Sequence, residues 1–580
     1  MKKLLLLTFL ISNITFSQSF QWGKRGGGNN SISYDLDAEQ PLKIVTDSNN
    51  NVYTISRVTS TGLDVDGNTR PYYDNSTEFD YVLSSFACDG SYRWSKTIGG
   101  FGFERMFMDT DGQGNVYVGG KFVNCVNTSY LSQIEGDIVI SQTPQDCRVL
   151  FLVKFDTNGV MQWFKRPQSS GLTPSQGISQ NANLGLQVDN LGNSYWLLLL
   201  PDGTYADGTF VNTAMGYNIF VLKYDTNGNF ISSTLMDFSV SGSFGQNLRF
   251  YRNPQTGQYY LTSNKSISGS ASATLGTSNV AGSFFIASFD TTGQKMWHQE
   301  DAAGTTGSNF ESYNLVTDSL NNIYFAGKIK GNNDVTFMGF TVPGIAELTT
   351  YIIKLNPTGS TLLWATKPDN IYGTYSACGL AVNGSEIGYT GMCFGSSYTW
   401  GTQSIFVSNV NEGTEVLLAR FNTSNGDCLG LVKIPGNIGF EDSGTALAVD
   451  SSGDYIVGGR FGQELYINGT TLTNQGTQSD FFIAKYATTP CTVASTEGFE
   501  KIQRLNYYPN PVNNTLTIDI KENSNFTLYN LQGRIIKEGK LSPSQNTIDC
   551  SELVSGCYML HVEDSNNNNN NKHVVKVIKN

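Results

Sequence analysis

The stretch LVKFDTNG (152–159) sets the pattern for most of the chain: an apolar strand ends in an aromatic residue, and a tight Asx-Gly turn follows. Variants of this phrase, several of them followed by a strand that carries Trp, recur at a regular spacing. They span 486 − 86 = 400 residues in six intervals, an average of about 67. Their aromatic or leucine positions are Phe86, Phe155, Tyr224, Phe289, Leu355, Phe421 and Tyr486.

A second phrase runs in phase with the first, with Asp or Asn six residues ahead of an aromatic residue and a turn between them. Two hairpin signals per repeat indicate four strands per repeat. Seven four-stranded units in series predict an all-β fold, a seven-bladed β-propeller, because a β-solenoid needs far shorter repeats and a string of sandwiches needs larger ones. The second phrase begins at Asp47, Asp111, Asp189, Asp318 and Asn383, with weaker copies at Asp450 and Asn253.

The two ends of the repeat region predict how the propeller closes. Four units finish on a strand that contains Trp, at Trp94, Trp163, Trp297 and Trp364, whereas the seventh unit stops without such a strand. An orphan copy, FQWGK (20–24), lies near the N-terminus and is followed by two glycines. We therefore expect the N-terminal strand to become the outer strand of the seventh blade, which leaves no broken blade edge.

The repeat resembles the SBBP type of β-propeller repeat. The stretches DGQGNVYVGG (111–120) and KFDTNG (154–159) match that pattern best, and the fourth and sixth units match it least. The resemblance covers roughly residues 19–487. It implies the propeller fold and no particular activity, because propellers support many functions.

The remaining segments predict export and a second domain. Residues 1–17 combine a basic start, an apolar run and small residues at Thr15 and Ser17, as a signal peptide does. The predicted propeller then occupies 18–487 and a linker 488–504. Residues 505–580 contain about seven short strand signals, which predict a small C-terminal β-sandwich. After the signal peptide, no apolar run is long enough for a transmembrane segment.

The C-terminal segment carries several short motifs in a fixed order: YPNP (508–511), LYNLQGR (528–534) and GCY (556–558), followed by a basic end. They resemble the type A C-terminal sorting domain of the type IX secretion system. The resemblance implies passage across the outer membrane by the type IX secretion machinery, and a secreted or outer cell-surface location. The residues that carry it are Tyr508, Pro509, Asn510, Pro511, Leu528, Tyr529, Gly533, Arg534, Gly556 and Tyr558.

Composition narrows the possible functions. The net charge of 37 − 49 = −12 argues against a nucleic-acid partner. Three histidines, no two of them at metal-ligand spacing, leave little material for a histidine-based active site. Nine cysteines in an exported chain permit disulfides, and three pairs are close enough in sequence to be plausible: Cys378–Cys393, Cys125–Cys147 and Cys550–Cys557.

Acidic residues recur shortly before the first strand of several units, at Glu39, Glu104, Glu311 and Glu441. At a channel mouth such carboxylates would suit a cation or acid–base catalysis. The alternative, which we favour, is a structural hydrogen bond to the backbone repeated in each blade. The stretch DTDGQGN (109–115) resembles a calcium loop but lacks the twelfth-position Glu, so turn formation is the favoured interpretation and no cofactor is predicted.

The loops between second and third strands, at 59–77, 124–147 and 396–415, vary most and would form a contact face. We expect a non-enzymatic binding or adhesion module for an extracellular protein or glycan. The alternatives are an enzyme that acts on extracellular polysaccharide or peptide, and a structural matrix protein. Aromatic residues of variable loops are candidates for ligand contact: Tyr72, Tyr73, Tyr130, Tyr205, Tyr398 and Trp400.

Overall fold

A computed structural model describes most of the chain. The described residues are 18–29, 39–59, 61–73, 79–100, 103–123, 131–140, 148–167, 183–214, 216–265, 271–302, 308–369, 378–407, 413–437, 439–491, 505–520, 522–530, 533–564 and 572–580. Two compact units divide between Cys491 and Thr492. The predicted signal peptide and most of the predicted linker lie outside the described residues. In the described part of the chain, no helix is long and apolar enough to cross a membrane.

The first unit is all-β and contains one described helix, Ser243–Gln246. Its long strands form seven antiparallel sheets, here called sheets I to VII, each with strands in the spatial order first to fourth. Sheet I consists of Gln40–Thr46, Val52–Val58, Asp80–Phe86 and Tyr92–Gly99; sheet II of Phe103–Thr110, Val116–Val123, Arg148–Phe155 and Met161–Lys165; sheet III of Asn183–Val188, Ser194–Leu200, Asn218–Tyr224 and Phe230–Leu235; sheet IV of Arg249–Arg252, Tyr259–Asn264, Phe284–Phe289 and Lys295–Glu300. Sheet V consists of Ser308–Thr317, Ile323–Gly331, Ile345–Leu355 and Leu362–Thr366; sheet VI of Gly379–Asn383, Glu386–Cys393, Glu415–Asn422 and Cys428–Ile434; sheet VII of Ser443–Val449, Tyr455–Phe461, Asp480–Ala487 and Ser19–Gly27.

Each sheet also inserts a short hairpin between its second and third strands. These hairpins are Asp64–Val65 with Asn68–Thr69, Gln133–Ile134 with Ile138–Val139, Gly203–Tyr205 with Phe210–Asn212, Ala271–Leu275 with Ser278–Asn279, Val335–Phe337 with Phe340–Val342, Ser397–Trp400 with Gln403–Phe406, and Glu464–Ile467 with Thr470–Thr473. The fourth of them also pairs with the strand Phe238–Gly242.

The turn between first and second strands explains the six-residue spacing of the second sequence phrase. In sheet I, Asp47 Oδ1 accepts hydrogen bonds from the backbone N–H groups of Asn49 and Asn51, both at 2.9 Å. The Tyr53 hydroxyl donates to Asp47 Oδ2, also at 2.9 Å. Sheets III and V repeat this arrangement with Asp189 and Asp318. One carboxylate therefore satisfies both the turn and the buried phenol six residues later.

At this turn end, the fourth-strand tryptophan of one sheet binds the next sheet. The Trp94 indole N–H donates to the carbonyl oxygen of Thr157 at 2.8 Å, and Trp163 makes the same bond to Thr226 at 3.0 Å. Trp364 repeats it with Thr423 at 3.0 Å. The recurrence of Trp in the sequence thus reflects a repeated contact between sheets.

At the opposite end, each inserted hairpin binds the preceding sheet near the end of that sheet's fourth strand. The hairpins of sheets I and II pair as short strands with the fourth strand that precedes them. One backbone N–H to carbonyl hydrogen bond is common to all seven contacts: Asp66 to Arg25 (2.8 Å), Glu135 to Thr97 (2.9 Å), Ala206 to Pro167 (2.7 Å), Gly276 to Asp237 (2.8 Å), Ala302 to Thr336 (3.0 Å), Asp369 to Thr399 (3.0 Å) and Tyr466 to Pro435 (2.9 Å). In the fifth and sixth, the hairpin supplies the carbonyl.

Seven apolar clusters fill the spaces between sheets, and consecutive sheets share each of them. The cluster that joins sheets VII and I contains Ile456 and Phe481 from one side and Val52 and Phe86 from the other, all fully buried or nearly so. Burying a side chain of this size stabilises the folded state by roughly 1.5–3 kcal/mol. Each sheet is therefore covered on both faces by its neighbours.

The segment Ser19–Gly27 pairs antiparallel with Asp480–Ala487, with Gly26 opposite Phe481. Trp22 then makes the contact seen for other fourth-strand tryptophans, because its indole donates to the Cys88 carbonyl of sheet I at 3.0 Å. Arg25 contributes an ion pair to Asp480 at 2.6 Å and another to Asp64. Burial nevertheless raises the pKa of Asp480 to about 6.

Cysteine pairing differs from the sequence expectation. Cys88 and Cys491 form a disulfide that spans 403 residues of sequence. Cys378, Cys393, Cys550 and Cys557 are free thiols, so both pairs predicted among them are wrong. Cys125 and Cys147 lie outside the described residues.

The second unit contains two small sheets around its own apolar cluster, which includes Val512, Leu528, Leu560 and Val577. One sheet consists of Tyr507–Tyr508, Thr515–Ile518 and Thr547–Asp549. The other consists of Ser524–Asn530, Ile535–Leu541, Gly556–Asp564 and Lys572–Lys579.

Removing the disulfide by C88S together with C491S should lower the melting temperature, because the crosslink removes conformational entropy from the unfolded chain. For so long a loop the expected loss of stability is on the order of 3–5 kcal/mol. Thermal unfolding followed by circular dichroism measures it. Reductant should lower the melting temperature of the native protein and leave the double variant unchanged, and a native protein insensitive to reductant would contradict the prediction.

Candidate functional site

The four acidic residues singled out in the sequence have different partners. Glu39 is fully buried and accepts hydrogen bonds from the backbone N–H groups of Gly28 and Thr59, both at 3.2 Å. Glu311 binds Lys328 at 3.3 Å, and Glu441 binds Arg460 at 3.3 Å. Glu104 lies in the first strand of sheet II, and its side chain is outside the described atoms. A backbone hydrogen bond thus accounts for Glu39, and ion pairs account for Glu311 and Glu441.

In sheet VII the counterpart of Glu39 is Asp442. Its Oδ1 accepts the backbone N–H of Gly462 at 2.9 Å, twenty residues ahead, as Thr59 is twenty residues ahead of Glu39. Asp442 is fully buried, and within the described part of the chain its Oδ2 has no hydrogen-bond partner. Desolvation by this burial, reinforced by the nearby charge of Glu415, raises the pKa of Asp442 well above its usual range.

The carboxylates of the stretch that resembles a calcium loop accept hydrogen bonds from backbone N–H groups. Asp111 Oδ1 accepts from the backbone N–H groups of Gln113 at 2.9 Å and Asn115 at 3.2 Å. Asp109 Oδ2 accepts from the backbone N–H of Val188 in sheet III at 2.8 Å. Among the described residues, no group of three or more His, Cys, Asp or Glu side chains is placed to hold a metal ion.

Two arginines that the sequence analysis did not single out meet between first strands. Arg105 of sheet II and Arg249 of sheet IV both donate to the carbonyl oxygen of Leu248, at 3.3 Å and 3.1 Å. Burial, together with the positive charge of Arg249, lowers the pKa of Arg105 to about 9. The contact joins sheets that are not consecutive, and sheet III lies between them in sequence. Arginine in the first strands of only two sheets was the only signal of this pair in the sequence.

Polar groups of sheet V lie beside the arginine pair. Burial lowers the pKa of Arg249, and the charges of Tyr313 and Glu311 act on it in the opposite sense. Glu311 accepts a hydrogen bond from the Tyr313 hydroxyl at 2.9 Å and pairs with Lys328 at 3.3 Å. We call Arg105, Arg249, Glu311, Tyr313 and Lys328 the axial cluster.

The backbone of Arg105 is fixed by a buried amide. Asn183 Nδ2 donates to the Arg105 carbonyl at 2.6 Å and to the Gly119 carbonyl at 3.0 Å. Its Oδ1 accepts the indole N–H of Trp196 at 2.7 Å, which fixes the amide orientation. Asn183 of sheet III therefore holds the first strand of sheet II at the backbone of Arg105.

The loop aromatics expected to contact a ligand are mostly interior. Tyr205, Tyr398 and Trp400 are at most 2% exposed, because their hairpins fold back onto neighbouring sheets. Tyr72 is partly buried against the core, Tyr73 is half-buried, and Tyr130 lies outside the described residues. The hairpins expose other apolar side chains instead: Val139 (59%), Val211 (55%), Phe406 (69%) and Tyr466 (41%).

The motifs of the second unit bind its two terminal segments together. Asn510 Oδ1 accepts the backbone N–H of Ile578 at 2.7 Å, and its Nδ2 donates to the Lys576 carbonyl at 2.9 Å. Gly533 occupies a turn with φ of 76°, a conformation that favours glycine. The Tyr558 hydroxyl donates to the Val554 carbonyl at 2.7 Å. Tyr508 is 60% exposed, whereas Leu528 is fully buried.

Residues 506–576 match the family model of the secretion system C-terminal sorting domain. The second unit is a type IX sorting domain. The sorting domain directs the protein to secretion or to the cell surface through the type IX secretion machinery, as the sequence analysis predicted.

No curated protein matches the chain. Among solved structures, the chain is similar to a quinohemoprotein alcohol dehydrogenase from Pseudomonas putida, with 10% identity over 86% of this chain and 79% of that one and a TM-score of 0.33. A protein from Dyadobacter fermentans has 9% identity over 80% and 98% of the chains and a TM-score of 0.33. The WD40 domain of SCAP from fission yeast has 8% identity over 80% and 99% and a TM-score of 0.27. At these TM-scores the likenesses carry no conclusion about this chain.

Replacing Asp442 by Asn should flatten the pH dependence of stability. A carboxyl whose pKa is raised on folding stabilises the native state while protonated, and this contribution is lost as pH rises from the unfolded value of about 3.8 towards the folded one. The native melting temperature should therefore fall more between pH 5 and pH 8 than that of D442N.

Asp318 provides a control of opposite sign. Desolvation alone would raise its pKa, but hydrogen bonds from Asn322 and Tyr324 outweigh that effect and lower the pKa. D318N should therefore lose stability at neutral pH, where the native carboxylate is charged. Equal slopes of melting temperature against pH for D442N and the native protein would contradict the prediction made for Asp442.

Proposed function

We propose that sheets I to VII are the blades of a seven-bladed β-propeller of the SBBP repeat type, and that Ser19–Gly27 closes the ring. The support is the cyclic order of the contacts. First strands of consecutive sheets lie against each other, and the first strand of sheet VII lies against that of sheet I. The hairpin of sheet I binds Arg25, just as the other six hairpins bind the fourth strands that precede them.

Deleting residues 19–28 should then lower the melting temperature sharply, because it exposes the edge of Asp480–Ala487 and removes Trp22 from sheet I. Thermal unfolding of the otherwise complete chain tests this. The milder variant W22F, which loses only the indole hydrogen bond, should lower the melting temperature less than the deletion does. An unchanged melting curve after the deletion would rule out closure by this strand.

We further infer that the exported propeller is a binding module for an extracellular protein. The observation that carries this function is the exposure of apolar residues on the inserted hairpins. In an antiparallel four-stranded sheet, the connection between the second and third strands lies at one end of the strands, and the two Asx turns lie at the opposite end. The seven hairpins would therefore share one face, here called the hairpin face.

The chemistry of the hairpin face favours a protein over a glycan. Val139 and Val211 are aliphatic and cannot stack on a sugar ring, whereas aliphatic and aromatic side chains together suit an apolar protein contact. The enzyme alternative depends on carboxylates free to act as acid and base. Glu39, Glu311 and Glu441 are instead held by backbone groups, lysine and arginine, which supports a binding role that needs no cofactor.

Binding to extracellular protein and glycan arrays tests this function with the full exported chain. The double variant V139S with F406S should weaken binding to its protein partner at least tenfold, since it removes two exposed apolar contacts. The matched control is L191S with L320S, which removes two leucines, 74% and 73% exposed, from the Asx turns at the opposite end of the sheets. E104Q should leave binding unchanged.

Binding only to glycans would refute a protein partner. Equal losses in the two double variants would refute the hairpin face as the contact surface. Turnover of a polysaccharide or peptide that E104Q abolishes would replace the binding role with the enzymatic one.

A further inference from the structure

The axial cluster contains an unusual accumulation of positive charge. Arg105 and Arg249 are both half-buried, and each makes a single hydrogen bond among the described residues, to the same Leu248 carbonyl. Neither guanidinium forms an ion pair with a carboxylate in that part of the chain. A guanidinium carries five N–H donors, so most donors of both groups remain available.

The neighbouring carboxylate does not neutralise this pair. Glu311 is held by Lys328 at 3.3 Å and by the Tyr313 hydroxyl at 2.9 Å, so its charge is shared with a third cation. Two like charges near one carbonyl repel each other, and partial burial weakens the screening by water. Folding alone would not favour this arrangement, whereas an anion between the two guanidiniums would offset both costs.

We propose that Arg105 and Arg249 form a binding site for one oxyanion group, such as a carboxylate, sulfate or phosphate. Guanidinium groups bind such groups through paired charge-assisted hydrogen bonds. The site is built from the starts of the first strands of sheets II and IV, whereas the hairpin face is built from the connections between second and third strands. The two proposals therefore share no residue.

The geometry gives the site a defined position within the fold. Arg105 is fixed by the Asn183 amide, whose orientation the Trp196 indole sets. Arg249 begins the first strand of sheet IV and lies next to Leu248, the residue that supplies the shared carbonyl. Both guanidiniums are thus held by the Leu248 carbonyl, and the Arg105 backbone is held by Asn183 of sheet III, as a preformed anion site requires.

Isothermal titration calorimetry of the full chain at constant ionic strength tests the site with sodium sulfate, phosphate, glucuronate and an acetylated dipeptide with a free C-terminus. Chloride is the reference anion. At least one of these oxyanions should bind with a stoichiometry of one. R105Q and R249Q should each weaken that binding at least tenfold. The probe that binds tightest distinguishes an inorganic ion, a sugar acid and a peptide carboxylate as the source of the oxyanion.

The control variant is R70Q, which breaks the partly exposed Arg70–Glu135 ion pair at 3.2 Å and should bind as the native protein does. In chloride, R105Q should melt at or above the native temperature, because the repulsion is removed; a merely structural arginine would instead lower it. If R105Q does not fold, R249Q decides the question. Absence of oxyanion binding to the native chain, or equal affinity in R249Q, would overturn the proposal.

Discussion

The structure depends on the way each four-stranded sheet attaches to the next at both ends. At one end, in sheets VII, I, II and V, a tryptophan indole donates to a turn carbonyl of the next sheet, as Trp94 does to Thr157. At the other end, backbone hydrogen bonds join a hairpin to the end of the preceding fourth strand, as between Glu135 and Thr97. A single sheet of this kind exposes two apolar faces and cannot persist alone, so its stability resides in the contacts with its neighbours.

These attachments use backbone carbonyls and N–H groups, and this leaves the side chains of the hairpins free to differ. The acidic residues also vary between sheets: Glu39 in sheet I and Asp442 in sheet VII accept equivalent backbone hydrogen bonds with different side chains. Arg105 and Arg249 occur in two first strands only, so the axial cluster breaks the repetition. Departures from a structural repeat are the places where a particular function is expected.

Local turns could be predicted from the sequence, whereas contacts between residues far apart in the sequence could not. The Asp47 to Tyr53 spacing predicted a hairpin turn because its hydrogen bonds lie within seven residues. The partner of Cys88 is 403 residues away and depends on the register of the last strand. Tyr398 and Trp400 were expected outside, since polarity of a loop does not reveal that its hairpin folds inward. Arg105 and Arg249 meet although a whole sheet lies between them in sequence, so no local spacing could reveal the contact.

The pairing of Ser19–Gly27 with Asp480–Ala487 means that the first unit cannot finish folding until nearly all of it has been synthesised. Trp22 faces Lys485, which is 485 − 22 = 463 residues later. The ribosome makes the earlier strand first, and its long partner strand, Asp480–Ala487, follows only when nearly the whole unit has been made. Contacts this distant form slowly. A chain cut short before Asp480 keeps a bare strand edge, so incomplete translation products carry a mark that proteases and chaperones can recognise.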